Sequence, residues 1–442
     1  MKTFKKGGII LNDNKLSADC PIEVLPVPEF VYILLSQHTG NPAIPVISIN
    51  DKVKTGQLIA KAQGKISANV HSSVSGTVVD IKEITDPNGY RDDAIIIQTE
   101  GDEWIENIDR SNTLIKDISL SAPEIVEKIK ESGIVGLGGA AFPTHVKISL
   151  PNECKPELLI INGVECEPYL TADHRLMLEK GEEIIVGTSI LMKASGAKKA
   201  IIGIEENKEN AIKHLSELSK NYKNIEVVSL KTKFPQGGEK QLIKALTGKE
   251  VPSKKLPIDI GCIVQNVSTT FAIYEAVQKN KPLIERIVTV TGTGVKKPSN
   301  FLARIGTPVS FLIEKAGGLP EETAKIIHGG PMMGKEILNI QTPIIKGATG
   351  ILIFSKNEIA IVKTINCIRC AKCVEVCPMG LEPYLFALLS ENSNFNRIEK
   401  EIITDCIECG SCAYICPSRR PVLELIRHGK MKIKELKNKS VN

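Results

Sequence analysis

Aromatic residues are scarce in this chain of 442 residues: they make up 4% of it and include a single tryptophan. Long apolar runs are missing too, since no stretch reaches the about eighteen residues that a membrane-spanning helix needs. Neither charge dominates, because 56 basic residues nearly balance 51 acidic ones and leave a formal net charge of +5. These absences argue against a nucleic-acid-binding protein and against a direct membrane span.

The first residues, MKTFKKGGIILNDNK, do not form the pattern of a secretory signal, because their apolar run is too short. We therefore expect the chain on the cytoplasmic side, where thiols stay reduced. A chain of this length exceeds one ordinary hydrophobic core, which predicts about two to four domains.

Eight of the 12 cysteines lie in two copies of one pattern. CIRCAKCVEVCP occupies residues 367–378, and CIECGSCAYICP occupies residues 406–417. The spacing C-x2-C-x2-C-x3-C-P is typical of bacterial ferredoxins, in which the fourth cysteine of each run ligates the cluster of the other run. The predicted ligand sets are Cys367, Cys370, Cys373 and Cys416 for one [4Fe–4S] cluster, and Cys406, Cys409, Cys412 and Cys377 for the other.

Zinc is the alternative for such thiols. Zinc sites favour separated CxxC pairs, often with histidine, and neither run contains a histidine. A pair of [4Fe–4S] clusters moves electrons one at a time and performs no chemistry on a substrate by itself. We therefore expect the rest of the chain to contain an electron source or sink.

A glycine-rich loop, GIVGLGGAAFPTHVK, occupies residues 133–147. Gly136, Gly138 and Ala141 match the dinucleotide fingerprint G-x-G-x-x-G only in part. The backbone of such a loop can approach a phosphate or a flat ring closely, although a structural turn is the alternative. The apolar run ELLII (157–161) then predicts a buried strand, and polar residues follow it, where open α/β sheets bind ligands.

Strands and helices alternate through the next part of the chain. We predict strands over 200–207 and 225–230, an amphipathic helix over 208–220, and a helix within 235–248 that ends at Gly248. This alternation indicates a Rossmann-like parallel sheet.

Four segments of this region resemble the flavin-bearing, NADH-oxidising subunits of respiratory complex I. GLGGAAFPTHVK resembles their GxGGAGFPxxxK loop, NGVECEP their NADEGEP, GGEKQLIKALTGKEVP their GEETAL segment, and VQNVSTT their NNVET. Nearly the whole chain resembles still more closely the C subunits of Rnf complexes, which are membrane-bound, ion-translocating ferredoxin:NAD oxidoreductases. The resemblance implies FMN, NAD(H) as substrate and electron transfer through the two clusters. It also implies a peripheral position on the cytoplasmic side of the cell membrane, beside partner subunits that include a ferredoxin-like cluster subunit.

The resemblance also implies roles for individual residues. The implied cofactor-binding residues are Gly136, Gly138, Gly139, Phe142, Lys147, Asn162, Glu165, Gly238, Glu239 and Asn266. Glu165 and Glu167 are the implied catalytic acids beside the flavin and the nicotinamide, with solvated surface acids as the alternative. The positions that depart from the family's motifs are Ala141, Val164 and Gln265.

The outer parts of the chain resemble two further domain types. Residues 42–82 resemble a biotinyl/lipoyl-type β-sandwich, in which we expect Lys65 to be unmodified. Residues 286–318 predict two strands, a turn and a helix, and resemble an SLBB domain. The glycine-rich segment HGGPMMGKEI (328–337) predicts a packed turn or a partner-facing loop. The basic C-terminal tail predicts a solvated end, with attraction to an anionic membrane as the alternative.

The sequence thus predicts an α/β multidomain protein. The predicted domains are a barrel-sandwich-like β domain at 1–115, a Rossmann-like flavin domain at 116–284, an SLBB ubiquitin-like domain at 285–345 and a helical two-cluster ferredoxin-like domain at 346–442. Two alternatives stay open. One is a one-electron relay or scaffold without a working flavin site, and the other is a subunit of a soluble hydrogenase or formate dehydrogenase.

Overall fold

The computed structural model describes residues 1–149, 156–359 and 363–441, with side chains up to residue 437. This part of the chain forms four β-sheets and a helical C-terminal lobe. The expected α/β multidomain architecture is confirmed, and the four parts are described in chain order.

Short strands build an N-terminal β-sandwich from two antiparallel sheets, in the orders β2-β8-β7-β4 and β3-β5-β6. The strands of this part of the chain are β1 (Ile22–Val24), β2 (Phe30–Leu34), β3 (Ile44–Pro45), β4 (Lys52–Val53), β5 (Leu58–Lys61), β6 (Val70–His71), β7 (Gly76–Thr85) and β8 (Arg91–Thr99). Inward-facing Val31, Ile33, Ile95 and Ile97 are almost fully buried and fill the space between the sheets. Lys65 lies exposed on this domain.

The central domain contains a parallel sheet of four strands in the order β11-β10-β9-β12. Its strands are β9 (Leu158–Asn162), β10 (Lys199–Glu205), β11 (Ile225–Leu230) and β12 (Cys262–Asn266). The helices are α1 (Ala122–Glu131), α2 (Thr144–Ile148), α3 (Ala172–Glu179), α4 (Gly181–Ser195), α5 (Glu209–Ser219), α6 (Glu239–Thr247) and α7 (Val267–Lys279). Apolar cores cover both faces of the sheet, which explains the near-continuous apolar runs of its strands.

The strand order creates a topological switch point. The chain proceeds from β9 outward to β10 and β11, and then crosses to β12 on the other side of β9. Open α/β sheets bind ligands in the crevice at the carboxyl ends of such strands. The prediction of a Rossmann-like sheet is therefore confirmed, and the switch point lies between β9 and β12.

The third part of the chain forms a mixed sheet around one helix. Its elements are β13 (Glu285–Thr291), β14 (Ser299–Arg304), α8 (Val309–Lys315), β15 (Thr323–His328), β16 (Lys335–Glu336) and β17 (Gly350–Ser355). The strand order is β1-β14-β13-β17-β15-β16, so strand β1 from the N-terminal region completes the sheet. Strand β17 lies in this sheet too, beyond the boundary at residue 345 that the sequence suggested, because its apolar residues fill the centre of this core.

The C-terminal lobe is helical and carries both cysteine runs. Its helices are α9 (Lys372–Glu375), α10 (Pro383–Glu391), α11 (Phe395–Lys400), α12 (Ser411–Tyr414) and α13 (Val422–Val441). Apolar residues of α10, α11 and α13 form its core. Within the described ranges, none of the helices is both long and apolar enough to cross a membrane.

The first ten residues connect the central domain to this lobe. Ile9 forms an antiparallel bridge with Phe234 beyond β11, and the backbone N–H of Gly8 donates to the carbonyl of Val376 at 2.8 Å. The N-terminal segment therefore contacts both parts of the chain that hold the predicted cofactor sites.

Candidate functional site

Two asparagines mark the switch point of the parallel sheet. Asn162 ends β9, Asn266 ends β12, and the two residues are register partners. The Asn266 side chain accepts the backbone N–H groups of Ser268 and Thr269 and so caps α7. The Asn162 side chain donates to the carbonyl of Gly237 at 2.9 Å. Both predicted cofactor-binding asparagines are therefore brought together with fixed side chains.

The glycine loop lies over this switch point. The hydroxyl of Thr269 accepts the Leu137 N–H at 2.8 Å, and the buried Arg286 donates to the Leu137 carbonyl at 2.7 Å. A Cβ placed on Gly138 would lie 3.4 Å from the Asn266 side chain. The loop is thus held from the sheet side, while Gly138 and Gly139 stay exposed on the opposite side.

Gly139 provides open space for a bound group. Its φ of +104° disfavours any residue with a side chain, and a Cβ there would meet no atom within 4 Å. Gly136 donates its N–H to the Phe142 carbonyl at 2.9 Å and closes the loop, while the Phe142 side chain is half-buried. Ala141 takes a φ of +48° and is buried, so the departure from glycine is accommodated within the loop.

The other wall of the cleft comes from the start of α6. Gly238 precedes this helix, and Glu239 is its first residue. The Lys147 ammonium lies 2.6 Å from the Glu239 carboxylate, and this ion pair joins α2 to α6. Of the predicted cofactor-binding residues, Lys147 therefore contacts Glu239, which directly follows Gly238.

The two predicted catalytic acids point in different directions. The Glu165 carboxylate accepts the N–H groups of Asp173 and His174 at 2.8 and 3.1 Å, so it caps the N-terminus of α3. The Glu167 carboxylate accepts the N–H groups of Met332 and Met333, which lie in the third domain. Burial raises the pKa of Glu167 to about 7, although both hydrogen bonds oppose that rise.

Asp173 is a site residue that the sequence analysis missed. Its carboxylate accepts the Asn266 amide at 2.7 Å and the Ser268 hydroxyl. Burial and the neighbouring charge of Glu165 raise the pKa of Asp173 to about 6, and Arg286 opposes the rise. An acid in the first turn of a helix, a few residues after the ECEP motif, is a signal that could have identified it.

Lys15 is a second residue that sequence analysis missed. Its buried ammonium donates to the carbonyls of Glu165, Glu167 and Leu170 at 2.9, 2.9 and 2.6 Å. Lys15 thereby fixes the loop that carries both acids. Burial lowers the pKa of Lys15 to about 8, and the charge of Lys208 adds to that effect. Its distance along the chain from that loop left no local pattern to reveal it.

One predicted cysteine set lines a single cavity in the C-terminal lobe. Cys377, Cys406, Cys409 and Cys412 line one pocket whose other walls are mostly apolar. Burial raises the pKa of Cys406 to about 11, so thiolates there need a positive partner such as iron. These four cysteines are the donor set predicted for one [4Fe–4S] cluster, and Cys377 is contributed from the other run.

The second predicted set lies at the outer end of the lobe. Cys367 and Cys370 are exposed, and Cys373 and Cys416 are half-buried. The N–H of Ile365 donates to the Ser418 carbonyl at 3.1 Å, so the chain entering the first run lies beside the end of the second. The structure thus agrees with the exchange of fourth cysteines between runs, and the ligand assignment itself stays a prediction.

The repeat in the sequence extends to the backbone. Arg369 and Ala371 have φ values of +55° and +59°, and their counterparts Glu408 and Gly410 have +55° and +76°. Alternating left-handed residues turn successive N–H groups toward one side, an arrangement that suits anionic iron–sulfur clusters. Both runs therefore have equivalent backbones, and each contains one short helix, α9 or α12.

The described cysteines outside the two runs are not part of a repeated cysteine pattern. Cys262 is buried, as expected for a small apolar side chain, while Cys20 and Cys166 are half-buried. Cys154 lies outside the described residues. Cys166 accepts the Gly237 N–H at 3.3 Å and packs in the apolar cluster of Phe234 and Cys409, so this residue of the acid-bearing loop faces the C-terminal lobe.

Comparison with protein-family models matches four regions of the chain. They are the RnfC barrel sandwich hybrid domain at 2–102, the Nuo51 FMN-binding domain at 129–275, the SLBB domain at 287–336 and the 4Fe-4S dicluster domain at 359–417. Each match falls inside one of the four predicted domains, whose exact boundaries stay predictions. The expected cofactors, FMN and two [4Fe–4S] clusters, are confirmed.

Curated relatives match the chain over almost its whole length. The C subunit of the proton-translocating ferredoxin:NAD(+) oxidoreductase complex of Clostridium ljungdahlii is 46% identical, covering 97% of this chain and 93% of that protein. The C subunit of the Na(+)-translocating complex of Acetobacterium woodii is 42% identical, covering 98% and 97%. The C subunit of the ion-translocating oxidoreductase complex of Rhodobacter capsulatus is 41% identical, covering 86% and 73%.

A solved structure shares the fold at lower sequence similarity. NAD+-reducing [NiFe]-hydrogenase in its H2-reduced state superposes with a TM-score of 0.52 and 18% identity, covering 70% of this chain and 62% of that one. The fold and the two sites define the subunit of a flavin- and iron–sulfur-dependent oxidoreductase. The chain belongs to the family of C subunits of ion-translocating ferredoxin:NAD oxidoreductase complexes.

Proposed function

We propose that this chain exchanges a hydride with NAD(H) at FMN and transfers single electrons through two [4Fe–4S] clusters, coupling ferredoxin:NAD electron transfer to ion transport within a membrane complex. FMN, when bound, can exchange a hydride with a nicotinamide and single electrons with a cluster. One observation carries the proposal, the contact between the two sites. The loop that contains Cys166, beside the switch-point cleft, packs against the C-terminal lobe that holds the buried cysteine set.

Several contacts join the central domain to the buried cysteine set. Ile9, Phe234 and Cys409 share one apolar cluster, which Cys166 and Met332 extend. The Gln241 amide in α6 donates to the Met379 sulfur at 3.1 Å, two residues past Cys377. We assign the exchange of electrons with FMN to the buried set, because its cysteines lie against the central domain.

The exposed cysteine set suits exchange with a partner protein. Residues 363–372 are exposed throughout and include Lys363, Arg369 and Lys372 but no acidic residue. Exposed Ile368 and Tyr414 add apolar surface next to these charges. A cluster-bearing protein with an acidic docking face complements this surface, which fits the expected ferredoxin-like subunit of the complex.

We place the chain peripherally on the cytoplasmic side of the cell membrane, because its substrate NAD(H) is there and the names of its relatives describe ion-translocating complexes. Charge reversal tests the partner surface. Arg369→Glu should slow cluster reduction by an acidic iron–sulfur protein at low salt, whereas Lys198→Glu, on the exposed surface of the central domain, should leave the rate unchanged. Equal rates for both variants would refute this docking surface.

An anaerobic optical titration tests the proposed function itself. The purified chain, reconstituted with FMN and iron, is titrated with NADH, and we expect the oxidised-flavin absorption to bleach before the iron–sulfur absorption falls. Clusters without bound flavin, together with no response to NADH, would leave the one-electron relay as the function and contradict the proposal.

A further inference from the structure

The Glu167 carboxylate is hydrogen-bonded to the third domain. Its two oxygens accept the backbone N–H groups of Met332 and Met333 at 3.0 and 2.8 Å. Besides these two backbone N–H groups, the charge of Lys15 favours the ionised form of the Glu167 carboxylate. Charge-assisted hydrogen bonds of this kind are about twice as strong as neutral ones.

Gly330 makes this contact sterically possible. A Cβ on Gly330 would lie 2.4 Å from the Glu167 carboxyl carbon, closer than any real contact. The turn is closed by the Gly334 N–H, which donates to the Gly330 carbonyl at 2.9 Å. Residues 329–334, here named the methionine turn, therefore fit around the carboxylate as a preformed loop.

The other side of the methionine turn contacts the cluster-bearing lobe. Arg427 donates to the Met333 carbonyl at 2.9 Å, and a Cβ on Gly410 would lie 2.6 Å from the Met332 carbonyl. The Met332 side chain packs in the same apolar cluster as Cys409. The turn is therefore a bridge of two residues between Glu167 and the loop that carries Cys409.

We propose that Glu167 is a positioning residue. Its side chain holds the methionine turn, and through that turn the loop that carries Cys409, against the loop that carries Glu165 and Glu167 beside the flavin cleft. This inference rests on the proposed function and replaces the role as an acid at the nicotinamide that family resemblance implied. Because both carboxylate oxygens accept N–H groups from consecutive residues, the side chain fixes the distance between the two loops. Electron transfer between flavin and cluster depends on that distance, whereas hydride exchange does not.

Hydrogen exchange tests the contact without turnover. In Glu167→Ala, exchange at the Met332 and Met333 amides should accelerate by about tenfold or more, because two charge-assisted hydrogen bonds are lost. Glu179→Ala is the matched control, since the Glu179 carboxylate also accepts a backbone N–H, that of Ile22 in β1. Unchanged exchange in the methionine turn of Glu167→Ala would overturn the proposal.

Rapid mixing with NADH separates positioning from chemistry. In Glu167→Gln and Glu167→Ala, flavin bleaching should keep its rate within about twofold, while the following cluster reduction slows by about tenfold or more. A variant that slows flavin bleaching instead would show that Glu167 acts at the nicotinamide. If the wild-type chain itself binds no flavin, the proposed function fails. The hydrogen-exchange result then still shows whether Glu167 holds the methionine turn.

A double substitution guards against simple misfolding. Gly330→Ala alone should displace the turn and slow cluster reduction, because its Cβ collides with Glu167. The same substitution in Glu167→Ala should add little further loss, since the space is then free. Additive losses from the two substitutions would contradict the direct contact.

Discussion

Asn162 and Asn266 lie side by side at the carboxyl ends of two adjacent parallel strands, β9 and β12. Three other segments of the predicted flavin site contact this pair. Asn266 connects to Asp173 and supports Gly138, while Asn162 connects to the segment before α6. A cleft at the switch point of a doubly wound sheet therefore joins segments that lie more than a hundred residues apart in the chain.

Gly139→Ala should weaken FMN binding by about tenfold or more, because a side chain would project into the open space of the cleft from a strained backbone. Gly196→Ala is the control: Gly196 also has a positive φ, +75°, with no atom within 4 Å of a Cβ, but it ends α4 away from the cleft. Fluorescence titration of released and rebound FMN measures the effect. Equal FMN affinity in both variants would show that the glycine loop is not part of the FMN-binding site.

Lys15→Met should destabilise the chain by about 2–4 kcal/mol, because three carbonyls lose a charged donor. It should also lower FMN retention, since the loop with Glu165 is released. Lys279→Met is the matched control, because the buried Lys279 likewise has three oxygen partners, remote from the cleft. Melting temperature and FMN content are measured for both, and loss of FMN in both variants would speak against a specific role of Lys15.

Asp173 should make the stability of the central domain depend on pH. Its native pKa of about 6 lies above the value of about 3.9 for an unfolded chain, so the native state binds more protons between these values. The stability that this group contributes is present below about pH 4 and is lost as the pH rises through about 6. Relative to wild type, Asp173→Asn should therefore gain about 1–2 kcal/mol between pH 5 and 7.5. Chemical denaturation at both pH values checks this, and a difference that is independent of pH would contradict it.

Cys377→Ser should remove the cluster of the second cysteine run and about half of the iron. The double variant Cys377→Ser with Cys406→Ser should lose no more iron than either single variant, because both thiols hold the same cluster. Cys377→Ser with Cys370→Ser should lose both clusters. Iron analysis and electron paramagnetic resonance distinguish these outcomes, and the reverse pattern would show that each run closes its own cluster.

Local patterns were sufficient for much of the fold. The strand IEVVSL was predicted at residues 225–230, where β11 lies, and the helix predicted to end at Gly248 does so, because a left-handed glycine terminates it. The spacing of the cysteines likewise predicted the set that lines one cavity. Such features depend on neighbours within a few residues, which a sequence pattern records.

Tertiary contacts explain what the sequence did not reveal. The direction of the Glu167 side chain depends on Met332 and Met333, 165 and 166 residues further along the chain. The buried position of Lys15 depends on three carbonyls that its own surroundings do not encode. Resemblance supplied the residues of the flavin site, but it could not show which of the two acids faces the third domain.

The most direct test of the account starts from the reduced chain. The purified protein with FMN and both clusters is reduced chemically without oxygen and mixed rapidly with excess NAD+, while iron–sulfur, flavin and NADH absorption are followed. We predict that the clusters reoxidise as NADH forms, and that Gly139→Ala reduces both changes together, in proportion to the FMN that it loses. Clusters that stay reduced beside bound flavin and excess NAD+ would contradict the central claim that this chain converts single electrons into hydride.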